Sequence, residues 1–333
     1  MHISLHILHV FAIVGLWFLT TPIIAQDGGA SEAIGILTLE WSPDSEKIAL
    51  AMGNGDINFT NRQGSFISTL NAHEGKTMDI DWGMEGQILF SGGSDGFIRM
   101  WNTETGELLV ERVIFPYDGG IYEIALDSLG NQIITSGFDR VRILDVQSLE
   151  STTSEFSVTL SDVAWSSDNT HFAFSATGGI GLARIEEGEL SLTSFGTYDR
   201  FPSAIDWSAD GTTLISAGGR DGSVRLWDVE RGEQIRVVLQ TDQTITDALF
   251  IDPTGSRAAA ITEDGQLYIL NTETGETLET FTYEAQLTSL AWNPVYNLLA
   301  IGGLIPIDQI SDDPNMIPGL LEIIPLATVL SAS

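Results

Sequence analysis

Beyond residue 9 the chain holds two histidines, His73 and His171, and it has no cysteine anywhere. Zinc centres draw on several Cys or His ligands, so an ordinary structural or catalytic zinc is excluded on inventory. A Ser, His and acid triad would need one of these two histidines, and no GxSxG-like elbow accompanies either. His171, in SSDNTHFAFSA, falls near the start of a strand and reads as a satisfied or exposed side chain. Carboxylates are the remaining resource. Glu40, Asp79, Asp81, Glu123, Asp162 and Asp206 stand just ahead of strand-ending anchor residues. Of these, Asp79, Asp81, Asp162 and Asp206 are the candidate ligands for an oxygen-seeking cation, calcium or magnesium, which needs no histidine. No DxDxDG loop accompanies them, and the competing reading is that they cap neighbouring backbone groups. No cofactor is therefore expected, with calcium as the alternative.

The elements that place these acids are announced by a repeated phrase. SGGSDGFIRMWNTETGE, residues 91–107, returns as AGGRDGSVRLWDVERGE at 217–233, and DGQLYILNTETGE at 264–276 is a partial third copy. The offsets, 126 and 169 residues, lie near multiples of 42. A unit of that length recurs between them as a short strand, an anchor and a turn. The anchors are Trp41, Trp82, Leu126, Trp165, Trp207, Ile251 and Trp292, with gaps of 41, 44, 39, 42, 44 and 41 residues. Each unit reads as four strands. In the fifth, SAIDW, TLISAGG, SVRLWDV and QIRVVL are separated by the turns SADG, RDG and ERGE. Asp-Gly suits a tight hairpin because Gly tolerates positive φ and Asp bonds its own backbone. Of the eight tryptophans, one lies in the leading segment, five end inner strands and two sit in third strands. All are accounted for as core rather than as ligand-stacking surfaces.

With RLWDVERGE, RMWNTETGE, the WSPDS and WSADG turns and the period itself, the chain resembles the WD-repeat β-propeller family over nearly all of residues 34–333. The resemblance implies an all-β fold, a seven-bladed β-propeller of four-stranded antiparallel blades closed around a channel. It also implies a blade network of His, Ser or Thr, Asp and Trp. The second repeat has the whole set, His73, Ser91, Asp95 and Trp101. The fifth keeps Ser216, Asp221 and Trp227 and puts Tyr198 in the histidine's place, while the third and seventh put Tyr117 and Tyr283 there. In such a ring the carboxylates ahead of the anchors approach the channel. The ring closes either with an amino-terminal strand, for which QDGGASEA is poorly suited, or with the tail ATVLSAS, which is preferred.

The 333 residues carry a formal charge of −32 at pH 7, with only two lysines, Lys47 and Lys76. That surface repels phosphate backbones and anionic lipid, which argues against nucleic-acid and membrane-surface partners. Residues 1–25, with the uncharged run VFAIVGLWFL and Ala25 ahead of Gln26, read as a cleaved signal, or as an uncleaved anchor. Residues 26–33 follow as a short extension. The expected location is thus secreted, periplasmic or cell-surface. Leu304–Pro318 breaks the repeat pattern with a long turn, which the resemblance places on the face of the histidine-bearing loops. Asp308, Asp312, Asp313 and Asn315 within it, with Tyr117, Tyr198 and Tyr283, are the candidate partner-binding residues. The expected function is a protein- or peptide-binding scaffold, monomeric or a subunit of a complex. The rival is a propeller hydrolase or lyase with a channel-bound divalent cation.

Overall fold

The computed structural model describes residues 34–326 apart from 84–85, 116–119, 139, 153–157, 177, 187–188, 199–200 and 307–316. Strands follow one another in antiparallel order, and a 3-10 turn spans Gly219–Asp221. The first unit is β1 (Ile34–Trp41), β2 (Lys47–Met52), β3 (Asp56–Asn61) and β4 (Phe66–Asn71). The second is β5 (Thr77–Gly83), β6 (Ile88–Gly93), β7 (Phe97–Asn102) and β8 (Leu108–Val113). The third shows three strands, β9 (Glu123–Leu126), β10 (Gln132–Ser136) and β11 (Val141–Asp145), with a single further bridge from Leu144 to Ser151. The fourth is β12 (Leu160–Trp165), β13 (His171–Ala176), β14 (Gly179–Glu186) and β15 (Glu189–Thr197). The fifth is β16 (Ala204–Trp207), β17 (Thr213–Ala217), β18 (Ser223–Asp228) and β19 (Glu233–Gln240). The sixth is β20 (Ile245–Phe250), β21 (Arg257–Thr262), β22 (Gln266–Asn271) and β23 (Thr277–Thr282), and the seventh shows β24 (Gln286–Asn293), β25 (Leu298–Ile305) and β26 (Leu320–Pro325).

The inner strands β1, β5, β9, β12, β16, β20 and β24 neighbour one another in chain order, and β24 meets β1. The sheets therefore close into a ring, as a propeller requires. Burial follows from it. Each sheet is covered on both faces by its neighbours, so second strands such as KIALAM and RAAAIT are almost continuously buried, whereas the outer strand β8 is largely exposed. Among the described residues apolar side chains gather in seven clusters, one between each pair of adjacent units. The last joins Ile36, Leu39 and Met52 of the first unit to Ala300 of the seventh. Burying such faces is the main favourable term in a fold whose sheets are individually two-sided.

Register accounts for one departure from the sequence reading. Trp41, Trp82, Trp165, Trp207 and Trp292 pair with the residue seven positions on, whereas in the sixth unit Phe250 pairs with Ala258. Phe250, and not Ile251, ends the inner strand, because the turn that follows is one residue longer. The tail ATVLSAS lies outside the described residues. What the structure shows at the seam is an antiparallel pairing of β1 with the end of β25 through Ile34–Ile305 and Gly35–Leu304.

Candidate functional site

The channel is a cavity of about 410 Å³ into which the inner strands project Glu40, Asp79, Asp81, Glu123, Asp162, Asp206 and Asp247. Two positions supply them, the third and the first residue before each anchor. Acids at the third position bridge to the next sheet: Asp79 Oδ2 accepts Ile124 N at 2.8 Å, Asp162 Oδ2 accepts Ile205 N at 2.6 Å, and Asp247 Oδ2 accepts Leu290 N at 2.8 Å. Acids at the first position do the same one step on, with Asp81 accepting Leu126 N at 2.5 Å and Asp206 accepting Phe250 N at 2.9 Å. The second oxygen is used too. Oδ1 of Asp79, Asp162 and Asp206 accepts the N–H of the following residue in its own strand. The capping reading of these acids thus describes their geometry, and among the described residues no three of them form a group able to hold a metal ion.

Other side chains complete the circumferential stitching. The anchor indoles donate backwards, Trp82 to Glu40 O, Trp165 to Ala125 O and Trp207 to Ala164 O. A bulge near the start of several inner strands pushes one residue out of register, and where that residue carries a hydroxyl it donates forwards, Ser161 to Pro202 O and Thr246 to Leu287 O. The seam repeats all three devices. Trp41 donates to Ala291 O at 3.0 Å, Thr288 donates to Ile36 O at 2.7 Å, and Leu39 N donates to Ser289 Oγ at 3.3 Å, with Ser289 in the place of an aspartate. Outside the ring, Tyr296 donates to Glu46, and Arg62 both pairs with Glu46 and lies 4.4 Å over the Tyr296 ring.

Among the described residues no Lys, Arg or His lines the channel. Burial without a counter-ion raises every acid in it. Asp79, Asp81 and Asp247 are pushed up to about 7 and Asp206 to about 6. Asp162 lies well above the usual range by burial, as do Glu40 and Glu123, with the neighbouring carboxylates adding to the rise.

The blade network is a second constellation. His73, in the loop entering the second unit, has Nδ1 at 2.9 Å from Asp95 and Nε2 at 2.8 Å from Ser91 Oγ, which also accepts Trp101 Nε1 at 2.9 Å. Burial lowers the histidine and so favours its neutral form, while hydrogen bonds from His73 and Arg99 hold Asp95 far below the usual range. The repeated glycines before the Asp-Gly turn have a steric reason: a Cβ on Gly93 would strike the His73 ring, and one on Gly218 would strike Asp221. In the fifth unit, Tyr198 replaces the histidine and its hydroxyl sits 2.6 Å from Ser216 Oγ, which accepts Trp227 Nε1 at 2.6 Å. Asp221 is not in that chain. It accepts Ser223 N and Oγ and Arg225, and Arg225 lies 4.0 Å over the Tyr198 ring.

These positions revise the partner-binding set. Tyr198 is 6% exposed and serves the core, so it is withdrawn as a contact for a partner. Tyr283 is half-buried in the apolar cluster between the sixth and seventh units, where Ile301 stands at the register of Ser216 and offers no hydroxyl. Tyr117, Asp308, Asp312, Asp313 and Asn315 lie outside the described residues. His171 packs edge-on against Trp207 at 5.2 Å and sits 2.7 Å from Thr170 Oγ1, a satisfied histidine. Sequence reasoning missed Asp247, hidden by the one-residue anchor error, and Arg99 and Arg225, whose signal was their shared place two residues before Trp101 and Trp227.

Residues 31–115 match the family described as anaphase-promoting complex subunit 4 WD40 domain, and residues 191–228 match WD domain, G-beta repeat. Both matched segments are WD-repeat segments, and the ring of antiparallel sheets is consistent with a WD-repeat β-propeller. This WD-repeat chain is 22% identical over 249 residues to eukaryotic translation initiation factor 3 subunit I of Drosophila willistoni, covering 70% of the chain and 76% of the relative. It is 25% identical over 231 residues to THO complex subunit 3 of Arabidopsis thaliana, covering 65% and 68%. Autophagy-related protein 16 of the same plant is 25% identical over 229 residues, covering 67% of the chain and 44% of the relative. These relatives overturn the exported location expected from residues 1–25, which lie outside the described residues: factors named for translation initiation belong to the cell interior. A ten-residue apolar run read without context cannot separate a signal from any other short apolar segment.

Proposed function

We propose that this WD-repeat propeller is a protein-interaction scaffold that works as a subunit of a complex. The observation that carries the reading is the fate of its reactive groups. The channel aspartates spend their oxygens on N–H groups within and between blades, and His73 is spent between Ser91 and Asp95. What remains available to another molecule is a rigid ring edged by turns and loops, a broad surface suited to a protein or peptide. Relatives named as subunits of an initiation factor and of the THO complex support the same reading. The binding face is the one that carries the entry loops with His73, Tyr198 and Tyr283 and the Asp-Gly turns, including the exposed Phe138 and Arg220.

The test is capture from a lysate of the cells that make the protein, with quantitative mass spectrometry, comparing wild type, Phe138→Ser with Arg220→Glu, and Val295→Ser with Leu129→Ser on the opposite face. Selective loss of captured proteins with the first pair is the expected result. Equal loss with the second pair, or no loss with either, would place the binding surface elsewhere.

A further inference from the structure

We propose that the outer edge of β26 is a docking site for an extended, basic segment of a partner protein, which adds the fourth strand that the seventh unit lacks among the described residues. The first, second, fourth, fifth and sixth units each have four strands, whereas β26 is the outermost strand of the seventh and pairs only with β25. Its burial shows the missing cover. In the four-stranded units the third strands β3, β7, β18 and β22 have four, two, four and three buried residues, and β26 has none. Leu320 and Ile324 lean on the apolar cluster between the sixth and seventh units, and Leu321 and Ile323 on the one at the seam, so both faces of the strand are apolar and only partly buried. An unpaired strand of this kind directs alternate N–H and C=O groups outward along an apolar ribbon, the arrangement that accepts an added strand.

The chain's own continuation lacks the means to fold back over that edge. In the first, second, third, fifth and sixth units the third strand ends on Asn61, Asn102, Asp145, Asp228 or Asn271, opposite the first residue of the second strand. Each of these side chains accepts a backbone N–H of the turn that follows, as Asn102 Oδ1 does from Glu104 N at 3.0 Å and Thr105 N at 2.8 Å. The turn then passes through a positive φ, at Gly64, Gly106, Leu149, Gly232 or Gly275. In the seventh unit the same register place, opposite Leu298, is held by Pro325, which has no side-chain acceptor, and the residues after it, LATVL, include no Asn, Asp or Gly. Upstream of β1, QDGGASEA is ill suited to a strand as well, so the strand that completes the unit comes from another molecule.

Charge selects that molecule. In the second unit Arg99 of the third strand stands opposite Glu111 of the fourth, with Nε 3.2 Å from Oε2. Glu322 holds the corresponding place on β26, for Arg99 lies opposite Ser91 and Glu322 opposite Ile301 at the same register of the second strand. A strand laid on β26 therefore meets an exposed carboxylate near its middle and is matched by Lys or Arg there. The formal charge of −32 attracts a basic segment at longer range and disfavours a second copy of this chain, which brings the same charge. The site lies on the rim of the ring, apart from the entry-loop face, and does not depend on that face having a partner.

The probe is an acetylated and amidated peptide with the sequence of β19, EQIRVVLQ, an outer strand with an arginine near its middle, alongside the same peptide carrying Arg236→Glu. Amide exchange of β26 in the full chain is compared with that of β18 and β22, and each peptide is titrated by fluorescence anisotropy against wild type and Glu322→Arg. The expected result is exchange in β26 that is faster than in β18 and β22 in the free protein and slows as the arginine peptide saturates. Wild type should bind the arginine peptide roughly threefold tighter than the glutamate peptide, the scale of one cross-strand charge pair, and Glu322→Arg should reverse the order. Slow exchange of β26 in the free protein overturns the proposal, because the chain then covers its own edge. So does a lack of saturable binding, or binding that leaves β26 exchange unchanged or ignores the charge at position 322. If Glu322→Arg does not fold, Glu322→Gln decides: the preference for arginine should vanish in it, and a preference that survives refutes the site.

Discussion

Ser216→Ala removes the hydroxyl that accepts from the buried Trp227 indole and shares a hydrogen bond with the buried Tyr198 hydroxyl, each 2.6 Å from Ser216 Oγ. All three side chains are nearly sealed, with exposures of 0%, 3% and 6% for Ser216, Trp227 and Tyr198. A buried hydrogen bond lost without replacement costs about 1–3 kcal/mol, so two put the loss at roughly 2–5 kcal/mol, the lower end if the tyrosine hydroxyl turns towards a water. Tyr198→Phe is different in kind. It removes one hydrogen-bond partner and leaves Ser216 still accepting from Trp227, so about 0.5–1.5 kcal/mol is expected. The informative variant is the double one. Once Ser216 is alanine, deleting the tyrosine hydroxyl removes an orphaned polar group, so Tyr198→Phe in that background should be neutral or restore stability. Urea and thermal unfolding of the four proteins form the cycle, and a loss of 2 kcal/mol should appear as a drop of several degrees in melting temperature. Additive losses in the double variant would refute the claim that the serine is the joint on which the two rings hang.

At the seam, Ser289→Ala with Thr288→Val removes two of the bonds that join the seventh unit to the first; amide exchange should speed up first in β1 and β24, and uniform acceleration around the ring would contradict a local seam. Gly93→Ala sets a methyl group against the His73 ring, so its melting temperature should fall about as far as that of His73→Ala, and a neutral effect would mean that the loop gives way freely. Asp95→Asn should flatten the acid limb of stability. The carboxylate is depressed by its bonds from His73 and Arg99, so its contribution is present above about pH 4 and lost as pH falls, and an unchanged acid limb would argue against that pairing.

The sequence by itself determined the class of the fold, because hairpin turns and strand alternation are local and a period near 42 residues forces the same unit to be stacked again and again. It also named the second-unit network member by member, since His73, Ser91, Asp95 and Trp101 sit at characteristic places within one repeat. Tertiary structure decided whatever crosses between repeats. That the acids ahead of the anchors reach the next sheet's N–H groups, that the anchor indoles donate to the sheet before, and that Ser289 serves at the seam all depend on register between strands some 40 to 250 residues apart. A one-residue slip suffices to hide such a contact, as Asp247 shows, because an inner-strand residue faces the channel or the core according to its count from the anchor. The surplus of negative charge was plain from composition. Its concentration in a cavity that no basic side chain lines among the described residues was decided only when six strands were brought to one axis, where a charge harmless on a hydrated surface must be stapled, protonated or repelled.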